Sequence, residues 1–581
     1  MFYNSTDKGA KYDFVVHPGA DPKQIELVYS SSEQLKLDNE GNLIIQTEIG
    51  ALTEGAPFSY IKKTAHEVIS QFKVINEQHY SLGAAEYYQT TVRFDFKTQV
   101  SNLKSTLVID PQLFWATFYG GNEGEMPFSI DTDNAGNVFV TGMVISPDFP
   151  VQDAGTFFQG NFGGSVDIFI LKFSNTGVLL WATFYGGDGQ DIGFAVATDG
   201  SGNVFITGET SSINFPVQNA GTFFQDTLAS GYSDVIILKF DNAGNRIWAT
   251  YYGGLESEYA SSIATDGNGN VFITGRTTSR DFPVQNAGTF FKETYDEDPL
   301  NIFYDLFILK FNNAGNRLWA TYYGGNSNEN VFSIATDGNN NVLITGYTGS
   351  TNFPMQNAGT FFQGTTTSEN AFISKFDNTG NLLWSTYYGG IDGGGAAHCI
   401  AADDNSNIFV LGYTTSLTFP LQDAGTFFQG TYGGGFSDAF ILKFDSIGNL
   451  TWATYYGGSN NDNPWTPFSD LVITSCGTVY VIFGTSSNNI ITQASCDEGY
   501  YDNTLNSYSD IIAQFSNTGI LLWSTYIEDL AGGSASGSTL AVDNAGGLFV
   551  SGLWDRANFT FPLANPGEEP IMMIHKMPVI Y

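Results

Sequence analysis

The apolar residues of this chain come in short runs separated by clusters of Asp, Asn and Gly, and the runs repeat. Around Trp319 one unit reads NRLWATYY (316–323), FSIAT (332–336), NVLITG (341–346) and AFISKF (371–376). Each run is rich in β-branched and aromatic residues, as strands are. Asp337-Gly338-Asn339-Asn340 separates the second run from the third, and Asp377-Asn378-Thr379-Gly380-Asn381 separates the fourth from the next tryptophan run. Asp and Asn bond the turn backbone through their side chains and Gly allows positive φ, so both read as tight hairpin turns. Runs such as Phe307-Ile308-Leu309 are apolar on both faces, which suits strands covered on each side rather than a sheet with one wet face.

Trp115, Trp181, Trp248, Trp319, Trp384, Trp452 and Trp523 each open a copy, at steps of about 65–71 residues. Four antiparallel strands repeated seven times predict an all-β fold, a seven-bladed β-propeller over residues 113–581. SIATD would be the innermost strand, VFITG the second, FILKF the third and the Trp strand the outermost. The array opens on an outer-type strand (113–119) and ends on a third-type strand (571–576). The last blade is therefore expected to borrow its outer strand from 113–119, which removes exposed edges. Residues 1–110 form a separate small β-rich domain, with strands expected at 12–16, 25–29, 42–47, 91–96 and 106–109.

Charge narrows the partners. The chain has 59 acidic and 22 basic residues, a net charge of −37. Such a chain is repelled by phosphate backbones and anionic lipid surfaces, so neither nucleic acid nor membrane insertion is expected. Glycans, proteins and cations remain. No apolar run is long enough to span a bilayer. The first residues lack a signal-peptide pattern and run straight into strand-like sequence, so a start inside a longer gene is expected. Cys399, Cys476 and Cys496 make no disulfide framework and no CxxC metal spacing. Cys476 falls on the tight-turn face and Cys496 in a long loop, so a bridge between them is not expected. The chain is expected to be a monomer.

Antiparallel order puts all tight turns on one face of the disc and all long connections on the other, and functional residues favour long loops. One long connection carries FPVQNAGTFFQ or a close copy at 149–159, 215–225, 282–292, 353–363 and 419–429. Near-verbatim repetition with fixed Gly and Pro reads as packing against the next blade. The other connection places carboxylates before the innermost strand: Glu123 and Glu125, Asp188 and Asp191, Glu256 and Glu258, Glu329, Asp392, Asp462 and Asp529. Around the axial mouth these would form an acidic ring, and converging carboxylates attract Ca²⁺; the favoured alternative is a set of solvated loop charges at seven-fold spacing. No cofactor is required by any motif. Subtracting the repeat leaves His398 and Cys399 where other copies have Ser or small apolar residues, and Trp465 in the loop after Asp462, an aromatic placed to stack on a sugar. Adjacent residues of a strand point to opposite faces, so His398 and Cys399 are poorly placed as a nucleophile pair. No HExxH, GxSxG or phosphate-binding loop is present, and no catalytic residue is assigned.

The unit WATYYGG…SIATDGxGNVFITGxTxSxxFP…DxFILKFxxxGN is similar to the bacterial β-propeller repeat family called SBBP. YDFVVHPGAD (12–21) and LVIDP (107–111) resemble the β-rich domain that commonly precedes such repeats in large secreted or surface proteins. The resemblance implies an extracellular or envelope setting and brings no catalytic residues with it. Two functions are carried forward. The favoured one is a non-catalytic binding or scaffold module whose long-loop face meets a glycan or protein partner. The other is a carbohydrate-active propeller hydrolase or lyase, using carboxylates at the axial mouth about 5–10 Å apart.

Overall fold

The computed structural model describes residues 2–6, 9–16, 21–31, 35–37, 43–47, 50–54, 58–61, 66–67, 70–82, 85–96 and 107–110 of the N-terminal part. Beyond these it describes 116–554, apart from 154, 176, 230–231, 287, 289, 296–302, 463–468, 476, 494–504, 506–507, 528–534 and 545–546, and then 572–577. The chain divides into two compact units, residues 1–115 with 560–565, and 116–559 with 566–581.

The first unit is β-rich. Gly9–Val16 pairs with Leu107–Asp110, which pairs in turn with Phe58–Ile61. Glu26–Ser31 and Ser70–Leu82 flank Ala85–Phe96 in a second, three-stranded sheet. One turn of 3₁₀ helix, Pro22–Gln24, is started by Asp21, whose carboxylate accepts from Lys23 N. No helix among the described residues is long and apolar enough to cross a membrane.

The second unit is built from seven four-stranded antiparallel sheets among the described residues. Blade 2 is typical: Asp191–Thr198, Val204–Thr210, Asp234–Phe240 and Arg246–Tyr252, from inside out. The third strand is buried along its whole length because blades cover both of its faces. Each blade from 1 to 5 has a bulge in its innermost strand, between Gly193 and Ala195 in blade 2. The glycine of VFITG answers it, since a Cβ on Gly208 would lie 1.8 Å from Ile192 O. The last sheet runs Ala535–Val542, Leu548–Trp554, Met572–Met577 and then Ala116–Tyr119, with Ala116 opposite His575 and Tyr119 opposite Met572. The outer strand of the last blade thus comes from the start of the array.

Two repeated devices seal neighbouring blades. The tryptophan lies at the junction: Trp181 packs 6.2 Å from Phe240 of blade 2, and Trp248 Nε1 donates to Asn313 O of blade 3. The FPVQNAGTFFQ segment lies along the outermost strand of its own blade, with Gln152 bridging to Ala182 and Gln159 to Phe184. Its Phe157 sits 4.7 Å from Tyr185 and 6.1 Å from Phe240 of the next blade. The phrase covers a strand edge and packs on the neighbour, as its repetition suggests.

A buried lysine of the third strand adds a polar lock. In blade 2, Lys239 Nζ donates to Asn313 O in blade 3, and Asn313 Nδ2 donates to Asp199 Oδ2 back in blade 2. Blade 5 has Ser446 where the asparagine would be, so Lys375 of blade 4 pairs directly with Asp337 at 2.8 Å, both side chains almost fully buried. Burial pushes the Asp337 carboxyl up, but the Lys375 ammonium and Asn341 more than offset it and hold the carboxyl below its usual value. Lys375→Met leaves that carboxylate buried and unpaired. It should cost about 3 kcal/mol in guanidinium unfolding at pH 7. Because the folded carboxyl is depressed, this stabilisation is present above about pH 4 and fades below it. The difference between the two proteins should therefore shrink as pH falls below about 4.

Candidate ligand site at the axis

The inner strands surround a cavity of about 330 Å³ near their starts, at the long-loop end. Phe128, Phe194, Tyr259, Phe332 and His398 bring aromatic rings to it, and Arg276 enters from a second strand. Phe332 and His398 stack with ring centres 4.2 Å apart and planes 12° from parallel. Phe128 and Phe194 lie 5.3 Å apart. Burial drives the His398 pKa down to about 3, so its ring is neutral, and its Nε2 has no hydrogen-bond partner. The Arg276 guanidinium is held between Tyr259 and Tyr304, 5.0 and 4.6 Å from their ring centres. Blade 2 has Glu209 at the position of Arg276. Burial raises its pKa to about 7 against the pull of Arg276, and its Oε2 is buried without a partner.

A second cavity, of about 440 Å³, continues along the inner strands toward the tight turns. Asp131 and Asp470 line it, and Asp470 lines the first cavity as well. Both break the repeat. Asp131 stands where other blades have Ala197, Ala264, Ala335, Ala401, Val472 and Ala541, and Asp470 where they have Ser129, Ala195, Ser262, Ser333, Cys399 and Thr539. Burial raises each carboxyl to a pKa of about 6, while backbone N–H groups work against the rise. Asp131 accepts from Thr198 N and Asp470 from Leu540 N, the inter-blade bond that Ser262 makes to Ile334 N by its hydroxyl. These two acids, with Arg276 and Glu209, are absent from the sequence-derived candidates. The subtraction of the repeat that exposes His398 exposes them too, once the strand register fixes which positions face the axis.

Among the described residues, the acids read from sequence do not line either axial cavity. Glu125, Asp191, Glu258, Glu329 and Asp462 are buried at the loop base. There they act as clamps: Asp191 accepts from Gly187 N and from the hydroxyls of Thr210 and Ser212. Glu258, Glu329 and Asp462 are bonded in the same way. Glu123, Asp188 and Glu256 are exposed loop residues. Asp392 is exposed too, and hydrogen bonds from Ser416 and Thr418 lower its pKa to about 2. The expected acidic ring at the axial mouth is thus replaced, among these residues, by buried clamps and solvated loop charges. An acid two residues before a strand's first apolar residue can satisfy a loop as well as face a pore, and the pattern does not separate the two. Trp465, Asp529, Cys476 and Cys496 lie outside the described residues.

Among the described residues, His398 is the sequence-derived binding candidate that lines the cavity. Cys399, also at the cavity, donates its thiol to Ser469 O at 3.0 Å, and burial pushes the thiol pKa well up. It is a protonated structural thiol, and its neighbour's ring is engaged with Phe332. No group of three or more His, Cys, Asp or Glu that could hold a metal is present among the described residues.

Known proteins are similar to the chain in its N-terminal part and in its repeats. The profile of a domain of unknown function, DUF7948, matches residues 1–112. That of the SBBP β-propeller repeat matches 180–216, 247–283 and 318–354. An uncharacterized WD repeat-containing protein, L264, of Acanthamoeba polyphaga mimivirus is 24% identical over 457 residues, 69% of this chain and 33% of that protein. The regulatory protein FlaEY of Caulobacter vibrioides is 24% identical over 403 residues, 66% of this chain and 38% of that protein. The matched part is 33% of the first relative's length and 38% of the second's. Among solved structures, the polysaccharide lyase Uly1 overlaps with a TM-score of 0.40 at 10% identity, covering 79% of this chain and 92% of that one. At that overlap nothing about the site follows from it. The chain carries SBBP β-propeller repeats at 180–216, 247–283 and 318–354, with a DUF7948 match ahead of them at 1–112.

Proposed function

We propose that this protein is a non-catalytic binding module working outside the cell or in the envelope, and that its axial cavity takes a glycan. One observation carries the reading: the stacked Phe332–His398 pair stands beside Arg276 in a cavity of about 330 Å³. That volume is at the small end of ligand pockets. Flat rings beside a few fixed polar groups suit a sugar, whose C–H face packs on an aromatic and whose hydroxyls take hydrogen bonds. The unpartnered Nε2 of the neutral His398 offers one such acceptor or donor. Arg276 would favour a sugar bearing a carboxylate or sulfate. Of the acids that the hydrolase reading needs at the mouth, Glu125, Asp191, Glu258, Glu329 and Asp462 are buried as loop clamps instead.

In affinity electrophoresis against a panel of neutral and acidic polysaccharides, the protein should be retarded by at least one acidic polymer. Phe332→Ala and Arg276→Ala should each weaken retention about tenfold, the scale of one lost aromatic or charge-assisted contact. Unchanged retention in both variants would remove the axial cavity from the account.

A second reading, a carbohydrate-active enzyme, keeps one support: Asp131 and Asp470 face one cavity with pKa values of about 6. New reducing ends that disappear in Asp470→Asn would favour it. The two carboxyls also predict a pH dependence. Each has a folded pKa above its unfolded value of about 3.9, so ionising it costs the folded state stability as pH rises from about 4 to 6. The Asp131→Asn/Asp470→Asn double variant escapes that cost. Its thermal midpoint relative to the unaltered protein should climb across this window and level off above about pH 7. A constant difference would mean that the carboxyls titrate normally.

A further inference from the structure

The buried clamps have a second property, because an acid that begins each third strand approaches them. Asp167 of blade 1 meets Asp191 of blade 2, Asp234 meets Glu258, Asp305 meets Glu329, and Asp438 meets Asp462. The first glycine of each WAT(F/Y)YGG motif makes room for them. A Cβ on Gly253 would lie 2.5 Å from Glu258 Oε2 and 2.6 Å from Asp234 Oδ1. On Gly457 it would lie 2.8 Å from Asp462 Oδ2 and 3.0 Å from Asp438 Oδ1. Asp234 and Asp438 are fully buried, and the Oδ1 of each, turned toward the partner acid, has no hydrogen-bond partner. Their other oxygens are occupied, Asp234 Oδ2 by Gln225 Nε2 and Ala229 N, and Asp438 Oδ2 by Gly433 N.

The repeats themselves act as a mutant series. Where the first acid is replaced, so is the second: Asn370 goes with Gly395, and Ser509 with Ala535. The exception is the closing junction, where Glu125 has Ile571 at the partner position, outside the described residues. At one junction, Lys292 replaces the glutamine that ends the FPVQNAGTFFQ phrase elsewhere. Its ammonium pairs with Asp305 Oδ2 at 2.8 Å and reaches Gly324 O at 3.3 Å. Two carboxylates are thus kept together, removed together, or given a built-in cation.

We propose that the junctions Asp234/Glu258 and Asp438/Asp462 each bind a hard divalent cation, Ca²⁺ by its oxygen ligands, and that Lys292 stands in for it at the Asp305/Glu329 pair. Each cation balances two buried carboxylates and ties the third strand of one blade to the first strand of the next. It is a site apart from the axial cavity, and its test does not depend on glycan binding.

Equilibrium dialysis of the metal-stripped protein against about 1 mM Ca²⁺, the range in which extracellular modules fill, should give two ions per chain, with a rise in thermal midpoint reversed by chelation. Gln225→Lys, which copies residue 292, should bind one ion fewer, and Lys292→Gln one more. Each substitution installs a side chain the fold already uses at the equivalent place, and circular dichroism checks that both variants fold. No bound calcium, with stability instead rising as pH falls below 6, would mean the pairs share a proton and would overturn the proposal. So would a stoichiometry that neither variant changes.

Discussion

Each blade junction from 1 to 5 turns on a buried ammonium. Lys172, Lys239, Lys310, Lys375 and Lys443 sit among apolar third strands, nearly closed to solvent except for a trace at Lys443. Each passes its charge to the next blade's turn, through Asn242, Asn313, Asn378, Ser446 and Asn517. In all but the Ser446 case the asparagine amide returns a bond to an aspartate of the preceding blade. A sheet-on-sheet contact made only of Leu, Ile and Phe would tolerate sliding. A buried charge with one acceptable set of partners does not, because any shift leaves an unpaired ion in low dielectric. The near-constant turn sequence, Asp first and Asn–Gly within it, follows from that constraint: the residues that close the hairpins also receive the neighbour's lysine.

This double duty explains what the sequence discloses. Strand order, turn chemistry and the borrowing of residues near 116–119 by the last blade can be read from the repeat, because the same interactions recur at each junction. In the N-terminal unit the reading is thinner. Thr91–Phe96 is legible, but Ser70–Leu82 is not, since SQFKVINEQHYSL mixes polar and apolar residues and its pairing with Ala85–Phe96 is long-range information carried by a bulged hairpin. Among the candidate site residues, the acids before the inner strands are visible as a pattern, but their destination is not. Glu258 turns back to Thr277 and Gly254 rather than toward the axis, a choice made by the local bonding of one loop.

The proposed function rests where the repeat is broken. The framework uses its polar groups on closure: hydroxyls at Ser129 and Ser262 bond the next blade's backbone, glutamines of the long phrase bond the edge strand, and tyrosines such as Tyr252 bond a loop carbonyl. At the axis Arg276, Glu209, His398, Asp131 and Asp470 depart from their equivalents. His398 and Glu209 keep polar atoms without partners in burial that makes such atoms costly. The proposed ligand would relieve that cost.

The central claim is that the unsymmetrical axial cavity, and not the symmetrical loop acids, meets the ligand. The most direct measurement is a crystal structure of the protein soaked with an acidic oligosaccharide drawn from a polymer that retards it. The account predicts sugar density against Phe332 and His398, with the acidic group on Arg276. Ordered sugar confined to the outer loops that carry Asp188, Glu256 and Asp392, with the axis empty, would contradict it.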